Sequence, residues 1–153
     1  MLSQKSKYAL RALLVLAKEY GLGPVLISDI ARRESLPHKF LEIILLELRN
    51  HGILASKKGR GGGYFLTRRP EQVHLGEVLR VLEGPLAPLP CVSKTAYARC
   101  AECPDERTCG IRMVMKETRD AIATVLDGTT LADVLQQIEK AEQEQRGVLD
   151  FCI

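Results

Sequence analysis

Apolar residues along the chain fall into a short series of periodic blocks. Leu10, Leu13, Leu14 and Ala17 recur at i, i+3, i+4 and i+7, the stripe of an amphipathic helix ending near Gly21. Ser28 is placed to cap a short helix running to about Glu34, packed through Ile27, Ile30 and Ala31. Pro37, with its φ already set, opens a third helix that buries Leu41, Ile44, Leu45 and Leu48 and stops at Gly52. Residues 53–57 and 64–67 read as two short strands around Lys58-Gly59-Arg60-Gly61-Gly62-Gly63, a basic hairpin. A helix over 75–83 ends at Gly84, and the prolines of 85–90 break regular structure. No period is evident over 91–109. A long helix then runs over about 108–126, with Ile111, Val114, Thr118, Ala121, Ile122 and Val125 on one face. Gly128 breaks it, Thr130 caps a last helix, and the charged stretch after Lys140 is expected to fray.

Short helix, tight turn, second helix and glycine-rich hairpin form the order of a winged helix-turn-helix. The expected fold is therefore mainly α with a small β-hairpin wing, followed by a long C-terminal dimerisation helix. The expected division is 1–84 for the DNA-binding unit, 85–109 for a cysteine-rich loop, 110–146 for dimerisation helices and 147–153 for a tail. A length of 153 residues suits one modest domain. Hydrophobic residues at 46%, aromatics at only 5% and no Trp point to an aliphatic, helix-rich core.

Charge sharpens the division. The net charge of +3 hides a strong asymmetry: residues 1–80 carry 14 basic and 7 acidic side chains, net +7, whereas residues 81–153 carry 8 and 12, net −4. An anionic partner is thus expected for the first half alone. A helix fits the major groove and offers its N-terminal exposed side chains to base edges. Here these are His38, Lys39 and Glu42; Glu42 can accept from a cytosine amino group and Lys39 can donate to guanine or phosphate. In the hairpin, glycines let backbone lie close to the sugar-phosphate wall and Arg60 can enter a narrow minor groove. Ser28, Lys57 and Lys58 complete the DNA-contacting candidates of these elements. The glycine run lacks the GK[ST] ending and following helix of a P-loop.

Cysteine usage is equally uneven. None precedes Cys91, and Cys91, Cys100, Cys103 and Cys109 fall within nineteen residues. Cys100-Ala-Glu-Cys103 has the CxxC spacing that lets two thiolates meet one metal, and Pro104 follows as in ferredoxin ligand runs. An iron–sulfur cluster (2Fe–2S or 4Fe–4S) and zinc both remain open; the irregular spacing does not match a two-CxxC zinc ribbon. Cys152 lies apart in the tail. The apolar run near the N-terminus is interrupted by Arg11 and closed by Lys18 and Glu19, unlike a signal peptide, so a cytoplasmic protein with no membrane association is expected. A zinc-stabilised DNA-binding module without sensing is one alternative. A CxxC thiol oxidoreductase is another, but no thioredoxin-like βαβ pattern surrounds the motif. No catalytic constellation is evident around His38, His51 or His74, and the chain is not expected to be an enzyme.

The stretches 6–13 (SKYALRAL), 40–45 (FLEIIL), 59–64 (GRGGGY) and 82–85 (LEGP) resemble the signatures of the Rrf-type winged helix-turn-helix regulators, the IscR, NsrR and CymR type. The similarity runs from the N-terminus to about Leu135, and the wing is its most specific part. It implies a homodimeric transcription regulator on a palindromic double-stranded operator, with DNA contacts at Lys39, Glu42 and Arg60 and phosphate contacts near Lys5, Lys7 and Tyr8. It also implies an iron–sulfur cluster in the loop before the long helix, with cluster-assembly proteins as partners. Cys91, Cys103 and Cys109 best fit the usual three-cysteine set, with Cys100 the departure. No histidine follows His74, so the fourth ligand is left to Cys100, a nearby carboxylate or a group from elsewhere.

Overall fold

The computed structural model describes the backbone of residues 2–150 and the side chains of residues 2–147. Six helices, α1 (Gln4–Lys18), α2 (Ile27–Glu34), α3 (His38–Asn50), α4 (Leu75–Glu83), α5 (Gly110–Gly128) and α6 (Leu131–Asp150), accompany strands β1 (Leu54–Lys57) and β2 (Gly63–Leu66). The strands pair antiparallel, from Leu54 opposite Leu66 to Lys57 opposite Gly63. The expected mainly helical fold with a two-stranded wing is the fold observed.

Helix α1 is the hub, touching α2, α3, α4, α6 and β2. Its most deeply buried apolar residues are Ala9, Ala12 and Leu13, while Leu10 and Leu14 of the expected stripe sit at the core's edge. The two alanines let neighbouring helices approach closely, so the packed face turns slightly from the one the leucines alone indicate. Against α1 lie Leu41, Ile44, Leu45 and Leu48 of α3, all buried as expected. Leu131, at the start of α6, is fully buried in the same core.

Local chemistry sets the ends. Ser3 caps α1, its Oγ accepting from the Ser6 amide at 3.2 Å. Thr130 caps α6 as expected: its Oγ1 accepts from the Asp133 amide at 3.1 Å while the Asp133 carboxylate accepts from the Thr130 amide at 2.8 Å. Two expectations need correction. Ser28 is not a cap, because α2 begins one residue before it; Leu26 is the capping residue and accepts from the Asp29 amide through its backbone carbonyl. The chain after Lys140 does not fray by Asp150, since α6 continues to that residue through Ala, Glu, Gln and Arg, which favour helix. Residues 151–153, and Cys152 with them, lie outside the described residues.

Candidate DNA-reading face and cysteine loop

The turn between α2 and α3 places the two helices for groove docking. Ser35 takes a left-handed conformation (φ 51°), and the Leu36 amide reaches back to the Ala31 carbonyl at 2.9 Å, satisfying the end of α2 while Leu36 enters the core. Pro37 is the extended capping residue just before α3 and not its first helical residue, so the helix opens one position later than expected. His38, Lys39 and Glu42 are all exposed at its N-terminal end, and His38 Nδ1 lies 3.4 Å from Glu42 Oε1.

The wing is fixed to the same unit. Val25 and Tyr64 exchange two backbone hydrogen bonds of 2.8 Å, stitching β2 to the segment before α2. Gly63 permits this approach: a Cβ there would sit 2.3 Å from the Val25 carbonyl oxygen. At Gly62 a Cβ would meet the Lys57 carbonyl oxygen at 2.3 Å. Gly62 therefore serves the hairpin's own closure and Gly63 its stitch to Val25, roles distinct from the expected approach to sugar-phosphate. Lys57, Lys58 and Arg60 project into solvent, and among the described residues no carboxylate pairs with them.

The other candidates are placed unevenly. Ser28 and Lys7 are exposed. Lys5 is half-buried and held 2.7 Å from Glu47 Oε2, so its charge is already partly answered within the protein. Tyr8 is half-buried, its ring edge-on to Phe40 with centroids 5.7 Å apart. Two residues of α3 receive no role from the pattern reading: Ile43 and Leu46, apolar within the run Leu41–Leu48, are 62% and 42% exposed. A helical wheel carries the signal, since Lys39, Ile43 and Leu46 fall at i, i+4 and i+7 opposite the buried stripe.

In the cysteine loop, Cys91 is buried (7% exposed), Cys103 and Cys109 are half-buried, and Cys100 is exposed; none is in a disulfide. Partial burial, then a hydrogen bond with Cys109 and the neighbouring charges of Cys109, Cys100 and Glu106, push the Cys103 thiol up from its ordinary value. The Cys103 thiol is thus the one that feels both Cys109 and Cys100. Cys91 is held separately, through its backbone, against α5: Arg112 Nε donates to the Cys91 carbonyl at 3.3 Å and Arg119 Nη1 to the Val92 carbonyl at 2.5 Å. The sequence reading missed Arg119, which lies one i, i+7 step beyond Arg112 on α5. Tyr97 donates to Glu106 at 2.6 Å and bridges nine positions within the loop. Thiols are the donors that thiophilic metals and iron–sulfur clusters take, so the donor chemistry fits such a group. Among the described residues, no three Cys, His, Asp or Glu side chains converge on one metal position.

Beyond the loop, α5 has no buried residue. Ile111, Val114, Thr118, Ala121, Ile122 and Val125, the expected apolar face, are all exposed. No helix among the described residues is long and apolar enough to cross a membrane.

A family model for Rrf2, described as an iron-dependent transcriptional regulator, matches residues 2–137. The chain belongs to the Rrf2 family of transcriptional regulators. It is 46% identical over 138 residues to a protein of Rhodobacter capsulatus named as an rrf2-like HTH-type transcriptional regulator, a match covering 88% of this chain and 92% of that one. Among solved structures it is similar to CymR, the global cysteine regulator of B. subtilis, with a TM-score of 0.75, 34% identity and coverage of 90% of this chain and 97% of that one. It is also similar to T. potens IscR, with a TM-score of 0.72, 32% identity and coverage of 92% and 90%. The expected resemblance to Rrf-type regulators is thus the family found. As an Rrf2 protein the chain is a DNA-binding regulator by class, in keeping with the helix-turn-helix and basic wing.

Proposed function

We propose that this Rrf2 protein works as a homodimer whose grip on a palindromic operator is set by an iron–sulfur cluster in the cysteine loop. Residues 1–84 read DNA, 85–109 hold the sensor, 110–146 form the dimer seam and 147–153 are a tail. Lys39 and Glu42 contact bases, Arg60 enters the minor groove, and Lys5, Lys7, Tyr8, Ser28, His38, Lys57 and Lys58 line the DNA around them. The observation that carries the reading is on α5. Ile111, Val114, Thr118, Ala121 and Val125 follow one another at 3-4-3-4 spacing, and every one is exposed in the protomer. A second copy packed on that seam would relate two recognition helices by two-fold symmetry.

Cys91, Cys103 and Cys109, with Cys100 as the fourth donor, would hold the cluster. When bound, it would supply a centre that responds to oxidation or nitric oxide. The chain's own residues carry the consequence: Arg112 and Arg119 tie the Cys91–Val92 backbone to α5, and Arg80 ties α5 to the DNA-reading unit through Asp127. A change in loop order is thereby transmitted to the seam and to half-site spacing. Protein purified without oxygen is expected to be brown, with iron and sulfide in stoichiometric amount and the mass of a dimer. Colourless protein carrying stoichiometric zinc would overturn the cluster. In gel shifts, Arg60→Ala is expected to weaken operator binding, and unchanged affinity would remove the wing from the interface.

A further inference from the structure

Ile43 and Leu46 raise a question that the charged residues of α3 do not answer. An apolar side chain 62% exposed at the outermost line of a helix gains nothing from the protomer's own core. Yet Ile43 lies one turn from Lys39 and beside Glu42, on the face opposite Leu41, Ile44, Leu45 and Leu48. Phe40 flanks it and is itself fixed by the edge-on contact with Tyr8. Exposed positive charge lies on the strip's own face and on other elements of this half: Lys39 one turn away on α3, Lys7 on α1 next to the Tyr8 that meets Phe40, and Lys57, Lys58 and Arg60 on the wing. A strip of this kind, apolar and set in a basic half, matches a major groove in which a thymine methyl lies between two phosphate walls.

We propose that Ile43 is a specificity-determining residue that reads a thymine 5-methyl group in each half-site, with Leu46 extending the same apolar contact one step further along the groove. The inference rests on the DNA-reading assignment and adds what Lys39 and Glu42 cannot supply. Those side chains hydrogen-bond to guanine, cytosine or phosphate, whereas the methyl is the one base-edge group recognised by apolar contact alone. Isoleucine, branched at Cβ, holds its methyls in few rotamers on a helix and presents a stiff surface.

The test uses an operator selected from random duplexes by the full-length protein, with binding followed by fluorescence anisotropy at fixed salt. Each thymine of the half-site is replaced in turn by uracil, which removes only the methyl. Wild-type protein is expected to lose about fourfold in affinity at one thymine per half-site, the worth of one buried methyl. Ile43→Ala is expected to bind the thymine operator about as weakly as wild type binds the uracil one, and to be indifferent to the replacement. Leu46→Ala should alter sensitivity at an adjacent position only. Uniform wild-type affinity for every uracil duplex would overturn the proposal, as would full uracil sensitivity in Ile43→Ala. A change in the mass of the DNA-free protein on Ile43→Ala would assign the strip to a second copy and overturn it too. Failure to select any duplex would instead remove the DNA reading beneath it.

Discussion

Arg80 of α4 grips Asp127 of α5 with both arms of its guanidinium, Nη1 on Oδ1 at 2.5 Å and Nη2 on Oδ2 at 2.8 Å. The pair holds the Asp127 carboxyl below its ordinary value, first through the hydrogen bond and then through the charge, and burial opposes both. It is a direct side-chain bridge from α4 to the long helix α5. Gly76 makes room for it: a Cβ there would lie 1.9 Å from Asp127 Oδ1. Both partners are more than one third exposed, so the pair's worth is small, about 1 kcal/mol at most. Gly76→Ala is expected to push the Asp127 carboxylate off Arg80 and to cost no more than that pair is worth, because the atoms the new Cβ meets are the exposed ends of flexible side chains. With Asp127→Ala already in place the clash is gone, so the double variant is expected to cost no more than Asp127→Ala alone. Urea melts of the two single variants and the double measure the coupling, and strict additivity would refute the steric account.

Arg119 is only 12% exposed and gives its Nη1 to the carbonyl of buried Val92. Arg119→Ala strands that carbonyl, an expected cost of about 1–3 kcal/mol. It should also loosen the backbone at Cys91. Alkylation of metal-free protein, mapped by mass spectrometry, is expected to mark Cys100 readily and Cys91 slowly in the wild type. In Arg119→Ala, Cys91 should react markedly faster; a Cys91 rate equal to wild type would show that the clamp does not hold the loop.

The wing depends on its stitch to Val25. Gly63→Ala drives a Cβ into the Val25 carbonyl at a φ of 140°, so about 1–3 kcal/mol of stability is expected to go. DNA affinity should fall with it although Arg60 is intact. Amide exchange at Val25 and Tyr64 reports the cause, and unchanged protection at both would separate the loss from the stitch.

Glu83 offers a pH-dependent contact. The hydrogen bonds of the Ser3 and Ser6 side chains and the Ser3 amide (2.7 Å) hold its carboxyl down to about 2, against an ordinary 4.5. A carboxyl depressed in the folded state stabilises above its unfolded value and loses that contribution as pH falls from about 4.5 to about 2. Glu83→Gln should therefore melt below wild type at neutral pH, with the two curves converging toward pH 2. A constant offset across that range would exclude Glu83 as the source.

The fold was largely legible before the structure, and the reason is local. Apolar spacing, Gly52, Gly84 and the Thr130 cap act within one or two turns, so element order followed from neighbours along the chain. Ser28 was misread because a cap depends on where the chain enters the helix, which Val25's pairing with Tyr64 decides from nearly forty residues away. Ile43 and Leu46 already fell outside the buried stripe that spacing gave for α3; what spacing did not supply is a role for two outward apolar side chains.

What the sequence determined alone is the kind of parts: a basic half with a helix pair and glycine wing, an acidic half with a cysteine cluster and a long apolar stripe. Their chemistry is carried by residue type and short spacing, which need no tertiary contact to read. The tertiary structure alone decided that the Cys91–Val92 backbone is held to α5 by Arg112 and Arg119, and that Arg80 and Asp127 couple α4 to α5. Those relations join residues 21 to 47 positions apart, and only packing of the helices brings such groups within hydrogen-bond reach.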